Sequence, residues 1–182
     1  MELKIKFKKL GADVKIYPWV KIISPDVISI GSHVIIDDFV MIMGGKKTSI
    51  GSYVHIASFT NITGGGEFTM EDFSTLSSGC RIFTGTDDFL GTSLTNSTIP
   101  APFRNVTRSS VIIKKHAILG ANVVVLPGVV VGEGAAIGAN SLVTKDVAPW
   151  TINVGSPAKV IKKRPSAIIL RMEKELLKKT KS

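Results

Sequence analysis

The sequence predicts an all-β chain, a left-handed parallel β-helix of hexapeptide repeats with an extruded loop and a C-terminal α-helix. Three observations predict it. An aliphatic recurs every six residues at Ile113, Leu119, Val125, Val131, Ile137 and Val143. Four positions after each stands a small or β-branched residue: Ala117, Val123, Val129, Ala135, Ser141 and Val147. The same phase runs upstream in triplets whose starts are 20 residues apart. A period of six fits neither an amphipathic helix nor an alternating strand. It fits a triangular coil of three short strands, with the aliphatic filling the interior and the small residue fitting a tight corner.

The elements follow in order. Leu10, Ile16 and Ile22 make the first triplet, then Ile30, Ile36 and Ile42, then Ile50, Ile56 and Ile62, then Met70, Leu76 and Ile82. A spacing of 20 leaves two extra residues at one corner, where Gly44-Gly45 and Gly64-Gly65-Gly66 fall. Ile113 comes 31 positions after Ile82, although a coil step needs only about eight. The excess predicts a loop extruded over about Thr86–Ser109, rich in Pro, Asn and Gly. Such a loop in a compact repeat is usually functional. A last partial coil is expected at Val154–Val160. After Pro165 a helix is expected over about Ser166–Lys179, with Ser166 as its cap and Ile169, Met172 and Leu176 on one face. The division is thus a β-helix domain over 1–165 and a terminal helix over 166–182.

Composition narrows the function classes. With 182 residues, 44% of them hydrophobic, the chain can bury one sizeable core. The lone Cys80 allows no disulfide framework, which suits a cytoplasmic protein. No apolar run is long enough to cross a membrane as a helix, so no stable membrane insertion is expected. The net charge is +9 and sits at the ends: residues 159–182 carry nine Lys or Arg against two Glu, giving +7. That pattern points to a phosphate-bearing ligand or an anionic surface. Nucleic acid is not expected, because no recognition motif is present and aromatics make up 7%.

The run LGANVVVLPGVVVGEGAAIGANSLVTKDV, followed by VGSPAKVIKKR, resembles the hexapeptide-repeat acyltransferases over about residues 10–165. Segments such as IDDFVMIMGG, YVHIASFTNITGGG and EDFSTLSSGCRIFTGTDDF look like the acetyltransferases of amino-deoxy nucleotide sugars, of the dTDP-4-amino-4,6-dideoxyglucose (viosamine) type. The resemblance implies a homotrimer that uses acetyl-CoA, without a metal, to acetylate a nucleotide-linked sugar in surface polysaccharide (lipopolysaccharide, O-antigen) biosynthesis. By the same likeness, Ala121 and Ala139 offer backbone groups to the pantetheine arm. Thr144 and Lys145 approach the adenine or its phosphates, and Lys159 and Lys162 approach the 3′-phosphate. The related galactoside enzymes carry a catalytic histidine in a Thr-Gly-His segment. Here that segment is Thr84-Gly85-Thr86, and the base must lie elsewhere.

Imidazole suits a general base at neutral pH, so the three histidines are the first candidates. His55, read as the last residue of its hexapeptide at a corner of coil three, is the candidate base. His116, read as mid-face in coil five, is placed with the substrate, and His33 shares its position three coils earlier. Asp87 and Asp88 open the extruded loop, where carboxylates suit a sugar hydroxyl or ammonium group, or an imidazole to be oriented. Asp37 and Asp38 stand at a corner one coil before His55 and are placed with the acceptor. Three readings remain open at this stage: N-acetylation of an amino sugar, O-acetylation of the galactoside kind, and a γ-type carbonic anhydrase, which shares the fold. The last needs three zinc-binding histidines at similar height. His33 and His116 instead lie three coils apart, on the order of 14 Å. A non-catalytic scaffold is disfavoured by the VTKD and SPAK motifs.

Overall fold

The computed structural model describes residues 6–180. Three parallel sheets wrap one interior. The first stacks Lys9–Leu10, Ile28–Ile30, Lys47–Ile50, Glu67–Met70, Ser110–Ile113 and Val130–Val131. The second begins with Val14–Ile16, Val34–Ile36, His55–Ile56, Thr75–Leu76, Ile118–Leu119 and Ala136–Ile137, and the third runs from Lys21–Ile23 to Leu142–Val143. The register matches the sequence phase: Ile36 lies against Ile56, Ile56 against Leu76, and Leu76 against Leu119. Every aliphatic of the run Ile113–Val143 is buried, as are the small residues from Ala117 to Val147. Among the described residues no further coil stacks beneath the first, and Leu10 is accordingly exposed.

The corners are made by left-handed residues. At the first corner these are Asp13, His33, Tyr53, Phe73, His116, Gly134 and Trp150, one per coil. At the second they are Phe39, Phe59, Gly79, Asn122 and Asn140. The third corner holds the glycines. A Cβ on Gly45 would stand 2.3 Å from the Gly66 carbonyl, so only glycine lets these coils stack.

Two elements differ from the expectation in detail. Val154–Val160 does not form a further coil. Thr151–Val154 closes the second sheet, and Lys159–Lys163 returns antiparallel to it as a hairpin. The C-terminal helix spans Ala167–Lys179, and Ser166 precedes it without a side-chain capping bond. The extruded loop is as expected. Its neck is a short antiparallel ribbon, Gly85–Thr86 against Thr107–Arg108. Among the described residues no helix is long and apolar enough to cross a membrane.

Cys80 is fully buried, and that burial pushes its thiol up to about 11. It should therefore resist iodoacetamide at pH 8 in the native protein and react on unfolding, because the thiolate is the nucleophile. Alkylation at equal rates in both states would contradict this packing.

Candidate active site

His55 lies within a strand of the second sheet, rather than at a corner, with its side chain outward. The coil step of 20 and the corner geometry bring Asp37, from the coil below, beside it. His55 Nε2 and Asp37 Oδ2 are 2.9 Å apart. The Asp37 carboxylate can only accept, so Nε2 carries the proton and the Nδ1 lone pair is free. The ring is about half exposed, as a group that must meet a substrate has to be.

The four acids singled out in the sequence divide by what their carboxylates already do. Asp37 orients His55. Asp38 Oδ1 accepts from the Trp19 amide at 2.9 Å and ties the second coil to the first. Asp88 organises the extruded loop, accepting from the Leu90 and Thr92 amides and from the Thr92 and Ser93 hydroxyls. Those hydrogen bonds, Thr92 foremost, hold its carboxyl at about 2. Asp87 beside it is half-buried, and among the described residues its carboxylate has no partner. Asp87 leaves the neck after the third sheet, while His55 stands on the second, so the two occupy different sides of the prism.

His116 is not mid-face but at the first corner, and it is buried under the C-terminal helix. Its Nε2 is 2.8 Å from Glu173 Oε2, and its ring stacks on Phe73 at 5.3 Å. Lys115 pairs with the same carboxylate, and Arg164 donates to the His116 carbonyl at 3.0 Å. Burial pushes the Glu173 carboxyl up, but the hydrogen bonds from Lys115 and His116 outweigh it and leave the group below its usual value. A cavity of about 460 Å³ between helix and sheet is lined by Phe73, His116, Ile118, Ile169, Met172 and Leu176. His33 belongs to the same ladder, with the Tyr53 and Phe73 rings stacked between it and His116. Among the described residues no group of three or more His, Cys, Asp or Glu could hold a metal ion.

The two corners flanking the second sheet differ in one respect that the sequence reading missed. The residue before each left-handed position has an amide that points outward. At the first corner side chains satisfy four of these amides: Ser32 Oγ accepts from Ala12, Ser52 Oγ from Ser32, Asp72 Oδ1 from Ser52 and Glu71 Oε2 from Lys115, while those of Asp72 and Glu133 find no acceptor among the described residues. At the second corner the matching residues are Ser58, Ser78, Ala121 and Ala139. Among the described residues their amides find no acceptor. They form a ladder of open N–H donors about 4.8 Å apart, running along the corner that Asp37 opens two coils below Ser78. Part of the signal was present in the sequence, as Ser or Asp one coil on at the first corner, at Ser32, Ser52 and Asp72, and as Ala121 and Ala139 at the second. Thr144 and Lys145 are exposed after Leu142–Val143, and Lys159 and Lys162 are exposed on the terminal hairpin.

Residues 110–145 match the family model described as bacterial transferase hexapeptide (six repeats). The chain is 38% identical, over 172 residues, to a dTDP-4-amino-4,6-dideoxy-D-glucose acyltransferase of Escherichia coli, covering 92% of this chain and 90% of that one. It also resembles the crystal structure of AntD, an N-acyltransferase from Bacillus cereus in complex with dTDP and 3-hydroxybutyryl-CoA. There the TM-score is 0.93 and the identity 43%, over 98% of this chain and 94% of that one. AntD has also been solved with dTDP-4-amino-4,6-dideoxyglucose and coenzyme A, and with one serine or one aspartate, ten positions apart, substituted. A shorter likeness, 41% identity over 38% of this chain and 36% of the relative, links it to the lipopolysaccharide biosynthesis O-acetyl transferase WbbJ of Escherichia coli.

Proposed function

This chain belongs to the hexapeptide-repeat acyltransferases, in the group of the dTDP-4-amino-4,6-dideoxy-D-glucose acyltransferases, and we propose from that premise that it moves an acyl group from coenzyme A to the amine of a nucleotide-linked amino-deoxy sugar. The observation that carries the reading is the open N–H ladder of the second corner, beside the His55–Asp37 pair. Pantetheine presents amide carbonyls along an extended arm, and a row of unpaired backbone donors is complementary to it. Lys145, Lys159 and Lys162, at the C-terminal end of the prism, supply positive charge for the phosphates.

The chemistry assigned to the site follows. The sugar amine attacks the thioester carbonyl carbon and forms the C–N bond. The carbonyl oxygen becomes an oxyanion, which a free ladder amide such as that of Ser78 stabilises. The attacking nitrogen gives a proton to His55 Nδ1, and Asp37 holds the imidazolium that results. The C–S bond breaks, and the proton passes to the departing sulfur as CoA thiol. Asp87 holds the acceptor's amine or hydroxyls. In this chain a Ser is followed ten positions on by an Asp only at Ser77–Asp87 and Ser78–Asp88, the order and spacing of the residues substituted in AntD. Since Asp87 sits on the other side of the prism from His55, the site is assembled between neighbouring copies of a homotrimer. The second sheet offers an outward column for that contact, with Ile35 and Ile118 exposed around His55.

The test is to incubate the protein with acetyl-CoA and a panel of dTDP- and UDP-linked amino sugars, following CoA release and the mass of the product. Transfer to an amino-deoxy sugar, with no transfer to its 4-hydroxy counterpart, is expected. Exclusive transfer to the hydroxy sugar would establish the O-acetyltransferase reading instead. Light scattering at micromolar concentration should give three times the chain mass, and a monomer would contradict the shared site.

Lys145→Ala and Lys159→Ala should each weaken acetyl-CoA binding by roughly fivefold at low salt, and by less as salt screens the charges. Calorimetric titration at two ionic strengths measures it. An unchanged affinity in the double variant would remove both residues from the site.

A further inference from the structure

The second corner carries one left-handed residue per coil, and its side chains form a broken ladder. Phe39 and Phe59 stack at 5.1 Å with their planes 9° apart, and both are more than half exposed. Asn122 and Asn140 stand at the C-terminal end, their amides 3.3 Å apart. Between Phe59 and Asn122 the rung is Gly79, which has no side chain. No ring of the next rung covers the outer face of Phe59, and the Asn122 amide reaches down into the Gly79 rung, its Oδ1 2.2 Å from where a Cβ would stand, so what remains above the ring is a shallow notch closed on its far side by Asn122. Arg81 fixes the back of the notch, donating to the Phe59 and Gly79 carbonyls at 2.7 Å each.

The ladder of open amides passes this notch. An arm laid along Ala139 and Ala121 reaches the Ser78 amide with its reactive end, one rung above Phe59. What continues beyond the thioester in the same line meets the ring. We propose that the Gly79 notch receives the acyl chain of the donor, and that the Phe59 ring is the floor that sets its length. This rests on the coenzyme A reading of the second corner. On this proposal a short acyl group lies against the ring, beneath the Asn122 amide. Each further methylene must displace the ring or leave the notch, and pockets of this kind discriminate by about tenfold or more per methylene. Phe59 is exposed and packs mainly on Phe39, so its removal leaves the coils intact.

The experiment measures the affinities of acetyl-, butyryl-, hexanoyl- and octanoyl-CoA by calorimetry, without acceptor, for the wild type, Phe59→Ala and Phe59→Trp. In the wild type, affinity should fall by about tenfold or more between two successive chain lengths. Phe59→Ala should move that fall to longer chains, and Phe59→Trp should move it to shorter ones. The ratio of kcat/KM across the same donors should shift in the same direction. A length profile identical in all three proteins overturns the floor and leaves the coenzyme A reading standing. An unchanged profile with weakened dTDP binding in Phe59→Ala assigns the notch to the acceptor and likewise overturns the proposal. No binding of any CoA ester overturns both readings.

Discussion

Replacing His55 by Asn should lower kcat by about 10² to 10⁴, the usual loss when a general base is removed. Acyl-CoA affinity should hold, because His55 lies on the second sheet and the open amides lie on the corner beside it. Asn has no basic nitrogen, and its shorter amide reaches the place of Nδ1 and not that of Nε2, so the contact with Asp37 goes with the base. Asp37→Asn tests the orientation of the ring. With the carboxylate gone, Nε2 can take the lone pair and turn Nδ1 into a donor, so a smaller loss of roughly 10- to 100-fold is expected. The double variant should be no worse than His55→Asn alone, since Asp37 acts through the imidazole. A sugar amine is already nucleophilic in its free-base form, so the deficit should shrink as pH rises and more amine is unprotonated. Wild-type turnover by His55→Asn would move the proton to another group, with Asp87 the first to examine.

The winding was legible because a solenoid repeats one local solution. Each inward aliphatic meets the same environment, and the phase at Ile113–Val143 carries back to Ile30 once the extruded loop and the two extra residues per coil are allowed for. The terminal hairpin was not legible for the same reason. Val154 and Val160 are six apart and satisfy the phase, but the Gly155–Ala158 turn reverses the chain. His116 was misplaced because a period of six marks the interior and says little of the other positions. Comparing positions 33, 53, 73, 116 and 150 would have shown a ring at each, and hence a corner stack. The Asp37–His55 contact was within reach too. With coils of 20, residues 18 apart face each other from neighbouring rungs, two places off register. What no pattern could give is the difference between Asp87 and Asp88. It depends on how the loop folds back so that Thr92 and Ser93 take one carboxylate and leave the other.

The C-terminal helix is held by one carboxylate, and Glu173→Ala should release it. Glu173 is nearly buried and answers both the His116 imidazole and the Lys115 ammonium. Its loss leaves His116, itself buried beneath the helix, without the partner of its Nε2. Breaking such a pair from one side costs about 3 kcal/mol, the low end of the range for buried pairs because Lys115 is a third exposed. The helix has little else to hold it: Ile168 and Met172 are more than half exposed, and no helix residue is fully buried. The loss should therefore appear as local opening, and the β-helix below should keep its melting temperature. Hydrogen exchange should show lost protection over Ala167–Lys179, and trypsin should cut after Arg171 and Lys174 at least tenfold faster, as expected when a local opening equilibrium shifts by a few kcal/mol. The pH dependence has a definite sign. The folded carboxyl lies below its ordinary value, so the latch is fully present above about pH 4.5, the unfolded value, and is lost as pH falls through the folded one. Glu173→Gln should loosen the helix at neutral pH and remove that acid dependence. If protection over the helix is unchanged in Glu173→Ala, the apolar contacts of Ile169, Met172 and Leu176 hold it without the charge.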